Sequence, residues 1–423
     1  MNYKLLYGKG ALTVSLPDNL TIDVIEPRFQ SGFNDPLAEI SKALESPIGS
    51  GPLRTLFPTG GKVGIVFSDI SRATPYQVIL PPLLSVLGKK GAEIIFFNAT
   101  GTHRANTKEE LTAILGSDIV STYPIVQNNC AATDKHSVVG VTSYGNQVSL
   151  LNELLACDIK ILTGFIEPHF FAGFSGGGKA LMPGLAKLST IQHNHGARNI
   201  DNNQARWGVT EGNPIWEDVM EAAEMVENTF LLNVAMNRDK DITGVYAGRL
   251  REAHAEGVNF VKEQSMVRVP HLYDLVITSN SGYPLDLNLY QAVKGMSAAN
   301  EIVGDGGNII IAAYCWDGIP AHGLYGKLIQ SATSPKELLQ TIRDAEKPVQ
   351  DMWQAQIHAK ICMRATVHLY TENLSEEEIR MAFLQPVRSI EQTVSEIIKK
   401  HGEKESLKVC VLPEGPLTIP YYP

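Results

Sequence analysis

KVGIVFSDISRATPYQVILPPLLSVLGK, residues 62–89, reads as three pieces in order. Lys62–Ser68 is a continuous apolar run, the pattern of a strand buried on both faces. Asp69–Pro75 is a polar loop, and a helical pattern follows from Tyr76 to Lys89. The same series then repeats. Ala92–Asn98 (AEIIFFN) is a second apolar run, it ends at ATGTHR (99–104), and a helix is expected near Lys108–Leu115. Strand, polar loop and helix, twice over, predict a parallel α/β sheet. Ligands of such sheets lie beyond the carboxyl ends of the strands. Asp69, Arg72, His103 and Arg104 all fall there.

Downstream, Ile159–Gly164 reads as another strand and runs into GFIEPHFFAGFSGGGKALMPGLAKLSTIQHNHGARN (164–199). His169 and Lys179 therefore share the strand-end setting of Asp69 and His103. Helices are expected at Phe33–Ala43, Ile215–Val226 and Arg251–Gln264, and a strand at Phe230–Asn237. Residues 1–30 alternate in short runs, as edge strands do. Pro270 breaks the pattern within Met266–Asp274, and a second α/β series begins at Leu275–Ser279. In its first helix Tyr290 and Lys294 stand four apart and share a face, with Gln291 beside them. Further strands are expected at Asn308–Tyr314, Thr366–Tyr370 and Leu407–Leu412. The reading is an α/β protein of two domains, each a mostly parallel sheet flanked by helices, with an active site in the interdomain cleft. Residues 1–268 form the N-terminal catalytic domain and 269–423 the C-terminal domain, whose last residues pack back on the first.

A chain of 423 residues exceeds what one hydrophobic core serves, which also argues for two domains. With 44% hydrophobic and 19% charged residues it is globular, and a net charge of −9 argues against nucleic-acid binding. No secretory signal and no apolar run of membrane-spanning length is evident, so neither export nor a membrane partner is expected. Five scattered cysteines suit a reducing cytoplasm.

The chemistry gathers between Gly164 and Asn199. Glycines let backbone approach a ligand closely. Lys179 behind them can pair with an anion or serve as a nucleophile. GFSGGGK (173–179) fits the first seven positions of a P-loop, but Ala180 stands where Ser or Thr must hold magnesium. The alternative to a ligand cradle is a glycine-rich surface loop with a solvated lysine. His193 and His195 flank one residue and would point to opposite sides of an extended segment. One of them can be a metal ligand with partners from elsewhere. His169 sits among apolar neighbours, where a histidine must be neutral or partnered.

Several long motifs together resemble the nickel-pincer 2-hydroxyacid racemases, the lactate racemase family. They are SDISRATP (68–75), ATGTHR (99–104), GFIEPHFFAGFSGG-x-K with MPG behind it, Asn194-His195, and SGYPLDLNLYQAVKGMSAA (281–299). The resemblance implies racemisation of a 2-hydroxyacid, lactate by default, by proton-coupled hydride transfer through a 2-oxoacid. It implies a nickel-pincer nucleotide, a pyridinium-3-thioamide-5-thiocarboxylate mononucleotide bound covalently to Lys179, with His195 as the nickel ligand. His103 and His169 would be the acid/base pair. Asp69, Arg72, Tyr290, Lys294 and Trp353 would bind cofactor, and Arg72, Gln291 and Lys294 the substrate. Cofactor-maturation enzymes would be partners, and the protein would be a cytoplasmic monomer or homodimer.

Three positions and one stretch depart from that family's pattern. Gly178 replaces the usual arginine before the lysine, Ser71 replaces threonine, and His193 is additional. The stretch 316–322 lacks the expected glycine-rich form. These departures leave open a racemase of a different 2-hydroxyacid, or a cofactor-less carboxylate- or nucleotide-binding protein.

Overall fold

A computed structural model describes residues 1–321, 323–402 and 407–423, so His322 of the divergent stretch lies outside the described residues. The chain forms two compact units. One comprises Phe29–His195 and Asn202–Gln264. The other comprises Met1–Arg28, Gly196–Asp201 and Ser265–Pro423. The break thus falls at Ser265, close to the expected one, but the first 28 residues run with the C-terminal unit rather than with residues 29–264.

The unit built on Phe29–His195 holds a six-stranded sheet. Across it the strands are Ile242–Gly248, Thr229–Met236, Ile159–Phe165, Lys62–Ser68, Glu93–Ala99 and Ile125–Gln127. All neighbours are parallel except the first pair. From Lys62–Ser68 the chain moves outward through the next two strands, then returns to the other side with Ile159–Phe165. The order therefore reverses between Lys62–Ser68 and Ile159–Phe165, the topological switch point where open α/β sheets bind ligands.

Why these strands bury is plain in their residues. Val63, Ile65 and Phe67 face the Tyr76–Gly88 helix, where they join Ile79, Leu80 and Leu83 in one core. Phe67 packs edge-on against Tyr76 at 5.9 Å and Phe96 at 6.2 Å. The Tyr76 hydroxyl accepts the Ser68 N–H at 2.6 Å, so strand end and helix start are tied across the Asp69–Pro75 loop. The Lys108–Leu115 helix begins on a capping box. Thr107 Oγ1 accepts the Glu110 N–H, and the Glu110 carboxylate accepts the Thr107 N–H.

The other unit holds an all-parallel sheet in the order Gln385–Val387, Thr366–Tyr370, Val303–Ala312, Tyr273–Ser279, Val409–Leu412 and Ile22–Val24. The last strand comes from the N-terminus, which is why residues 1–28 belong here. The final strand, Ile419–Tyr421, pairs with Met266–Arg268 of the same unit.

Phe67→Ala removes the ring that joins two strands and the helix. It should cost about 3–5 kcal/mol in denaturant unfolding. A loss below about 1 kcal/mol would contradict this packing.

Candidate functional site

The chain beyond three adjacent parallel strands carries half of the expected site residues. Asp69, just past Lys62–Ser68, is buried and accepts from His103, past Glu93–Ala99: Oδ2 lies 2.6 Å from His103 Nδ1. Ser71 donates to the other carboxylate oxygen at 2.6 Å. A carboxylate only accepts, so His103 Nδ1 carries the proton and Nε2 holds the lone pair. The His103 side chain is about one-third exposed, so a ligand can reach it (34%). Arg104 pairs with Glu110 at 2.6 Å.

Past Ile159–Phe165 the chain makes a small hairpin, Pro168–His169 against Gly173–Phe174. His169 is buried, and its Nδ1 accepts the Ala172 N–H at 3.3 Å. Its ring proton, when neutral, therefore sits on Nε2, the opposite of His103. The buried Phe171 ring touches three expected groups at once. His169 packs edge-on at 4.5 Å, His195 edge-on at 5.0 Å, and Lys179 Nζ lies over the ring at 5.7 Å.

The glycine cluster behind the hairpin is not a P-loop. Gly177–Ala180 is a single 3-10 turn, and the next helix, Leu188–Asn194, begins well beyond it. Nor is it a loose surface loop, because Gly177 and Gly178 are buried. The Gly177 N–H donates to Asn233 Oδ1 at 2.8 Å. Gly177 has φ +57°, and a Cβ there would meet the His254 ring at 2.7 Å. Gly178 lies flush on the Pro214–Glu224 helix, where a Cβ would sit 2.9 Å from that of Ala223. The absent arginine thus has no room beside Ala223 and Met220 unless the helix shifts.

His193 and His195 lie on a helix and its cap rather than on an extended segment. Two residues apart on a helix is about 200° of rotation, so they still diverge. His193 is exposed, with Nε2 3.0 Å from the Tyr144 carbonyl. His195 is buried, and burial, then the Lys179 charge, push its pKa down to about 3. It is a neutral imidazole at physiological pH. Its Nδ1 donates to Asn194 Oδ1 at 2.7 Å, which leaves Nε2 as the lone-pair nitrogen.

Several neighbours escaped the sequence reading. Asn194 Nδ2 donates to the buried Asp218 carboxylate at 2.7 Å, which also accepts from Thr142 and Asn146. His254 donates Nε2–H to the Ser175 carbonyl at 2.9 Å, and its pKa falls to about 4, chiefly through burial. Glu167 pairs with Arg72 at 2.6 Å. Nothing in a lone sequence signals Asp218 or His254, because each is an ordinary polar residue in an amphipathic helix.

In the other unit, Tyr290, Gln291 and Lys294 lie on Leu289–Asn300, capped by Asn288, whose side chain accepts the Gln291 N–H at 3.1 Å. Trp353, on Met352–Arg364, donates Nε1–H to the Tyr290 hydroxyl at 3.3 Å, so these two expected residues meet. Tyr325 packs edge-on against Tyr290 at 5.4 Å and bonds His358 Nδ1 at 2.7 Å, a backing pair the sequence did not reveal.

Two predictions follow from this geometry. Burial opposes ionisation of Asp69, but His103, Ser71 and Arg72 together outweigh it and hold its carboxyl below the ordinary value. A lowered folded pKa contributes stability that is complete above the unfolded value, about pH 3.9, and is lost as pH falls through the folded one. Unfolding stability should fall more steeply with decreasing pH for the wild-type chain than for Asp69→Asn; parallel curves would contradict the pairing. Gly178→Arg should lose about 1–3 kcal/mol in denaturant unfolding, and an unchanged midpoint would refute the close approach to Ala223.

Comparison with known proteins agrees with these motifs. The family description Lactate racemase N-terminal domain matches residues 7–208, and Lactate racemase C-terminal domain matches 270–419. The lactate racemase of Thermoanaerobacterium thermosaccharolyticum is 34% identical over 421 residues, 98% of each chain. That of Lactiplantibacillus plantarum is 35% identical over 420 residues, 97% of each. The solved lactate racemase apoprotein from T. thermosaccharolyticum superposes with a TM-score of 0.93 at 33% identity, covering 99% of this chain and 100% of that one. A Thermotoga maritima protein shares the fold alone, with a TM-score of 0.71 at 18% identity over 93% of this chain and 100% of its own. The chain belongs to the lactate racemase family of isomerases.

Proposed function

We propose that the protein racemises a 2-hydroxyacid, lactate first, using a nickel-pincer nucleotide bound covalently to Lys179. The observation that carries the reading is the gathering of His169, Lys179 and His195 around one buried ring, Phe171. The residues fit such a group. His195 is a buried imidazole kept neutral, and its lone pair lies on Nε2. Imidazole beside sulfur donors suits nickel. The other donors would come from the nucleotide.

When bound, the cofactor supplies a hydride acceptor. The chain's own residues do the rest. His103 Nε2 takes the hydroxyl proton of one enantiomer, and Asp69 stabilises the imidazolium that forms. Loss of the proton and of the C2 hydrogen leaves a planar 2-oxoacid, open to hydrogen return on either face. His169 in its imidazolium form, with the weak 3.3 Å contact from the Ala172 N–H released, donates its Nε2 proton to the oxygen on the other side and is left with a lone pair there, and the two histidines exchange roles for the opposite enantiomer. Arg72, Gln291 and Lys294 bind the substrate carboxylate. Tyr290 and Trp353 line the cofactor. Separate maturation enzymes load Lys179, and the protein works in the cytoplasm as a monomer or homodimer.

Lactate deuterated at C2 tests the reaction type. The enantiomer formed in ordinary water should keep its deuterium, because a hydride returns to the carbon it left. Exchange with solvent would mean proton abstraction at C2 instead. His103→Ala should lower kcat about 10²–10⁴-fold, and a near-normal rate would remove it from the acid/base role.

A further inference from the structure

We propose that Glu167 is a positioning residue: it holds Arg72 by one corner so that the remaining edge of the guanidinium faces an oxyanion. The oxyanion is a carboxylate or phosphate, and this inference rests on reading Arg72 as an anion clamp.

Glu167 Oε1 lies 2.6 Å from Arg72 Nη1. Among the described residues no hydrogen bond is made by Arg72 Nε or Nη2. These two nitrogens form one side of the planar guanidinium, with parallel donors matched to two oxygens of one anion. The Arg72 side chain remains 24% exposed, so an anion can reach it, whereas Glu167 is only 10% exposed.

The Glu167 backbone is fixed from both directions. Its N–H donates to Ser175 Oγ at 3.1 Å, and its carbonyl accepts the Ser175 N–H at 2.9 Å. Ser175 is itself held by His254 through its carbonyl. The Arg72 N–H donates to the Asp69 carbonyl at 3.1 Å, so both partners stand on anchored backbone. The pair also spans the two strands between which the sheet order reverses, since Arg72 follows Lys62–Ser68 and Glu167 follows Ile159–Phe165. A long side chain with one corner fixed has fewer orientations for its other edge. That is what positioning means here.

The test is a double-mutant cycle of Arg72→Ala, Glu167→Gln and the pair, made in cells that load the cofactor. Two quantities are read for each protein: the fraction of Lys179 carrying the adduct, by intact mass, and kcat and KM for both lactate enantiomers. Glu167→Gln should impair one of them by an amount on the order of ten-fold and add nothing in the Arg72→Ala background. A higher KM at full loading identifies the substrate carboxylate as the anion, and reduced loading identifies the cofactor phosphate. Arg72→Lys keeps a charge for Glu167 but has no second edge, so it should show the Arg72→Ala loss at a native thermal midpoint. Wild-type behaviour of Arg72→Lys, an additive Glu167→Gln effect or no effect at all would overturn the role of Glu167. If Arg72→Ala is silent in both readouts, the clamp reading itself fails. Unloaded, the same proteins are scanned with inorganic phosphate, whose rise in thermal midpoint should vanish in both single variants; a full rise in Glu167→Gln overturns the inference.

Discussion

The contact of one phenylalanine ring with three polar groups is the constraint on which the candidate site depends. Phe171 sits between the turn that carries Lys179, the helix end that carries His195 and its own neighbour His169. His169 stands two residues from the ring in the chain, whereas Lys179 and His195 reach it from later segments. Their spacing is set by packing, and close-packed interiors transmit small shifts directly. Burial, with the Lys179 charge added, keeps the His195 imidazole neutral, and both groups touch the same ring. A neutral imidazole is the form a metal can use.

Around this ring lies a layer of polar groups with defined roles. Asn213 Nδ2 donates to the Phe171 carbonyl at 2.9 Å and ties the hairpin to the Pro214–Glu224 helix that it caps. Asp218 on that helix orients Asn194, which in turn orients His195. Asp218 is fully buried, yet Thr142, Asn146 and Asn194 all donate to it, so its charge is not left bare. On the other side His254 braces Ser175 and packs against Gly177. The lysine thus leaves a turn with little freedom to relax, which is what a tether or an anion contact requires.

Much of this was legible in the residue pattern. Lys62–Ser68, Lys108–Leu115 and Thr366–Tyr370 form over the ranges read from periodicity, because buried parallel strands and amphipathic helices differ in period and composition. Asp69, His103 and His169 read as strand-end residues and lie past the ends of Lys62–Ser68, Glu93–Ala99 and Ile159–Phe165, and Asp69 bonds His103 directly. Pairings between residues far apart in sequence were not legible. Glu167 with Arg72, Asn194 with Asp218, and Trp353 with Tyr290 depend on topology, and a local pattern carries no trace of them. The N-terminal residues went to the wrong unit for the same reason: the strand Ile22–Val24 finds its partner at Val409–Leu412. Gly178 looked like a lost cation, and only packing against Ala223 shows it as a close approach.

The central claim is that Lys179 carries the cofactor and His195 the metal. Peptide mass spectrometry on protein made with the maturation enzymes, with nickel quantified on the same sample, tests it most directly. The account predicts a cofactor-sized adduct on the peptide containing Lys179 and about one nickel per chain, with the nickel lost in His195→Ala while the adduct remains. An unmodified Lys179 in cells that modify a known family member, or nickel bound equally well without His195, would contradict it.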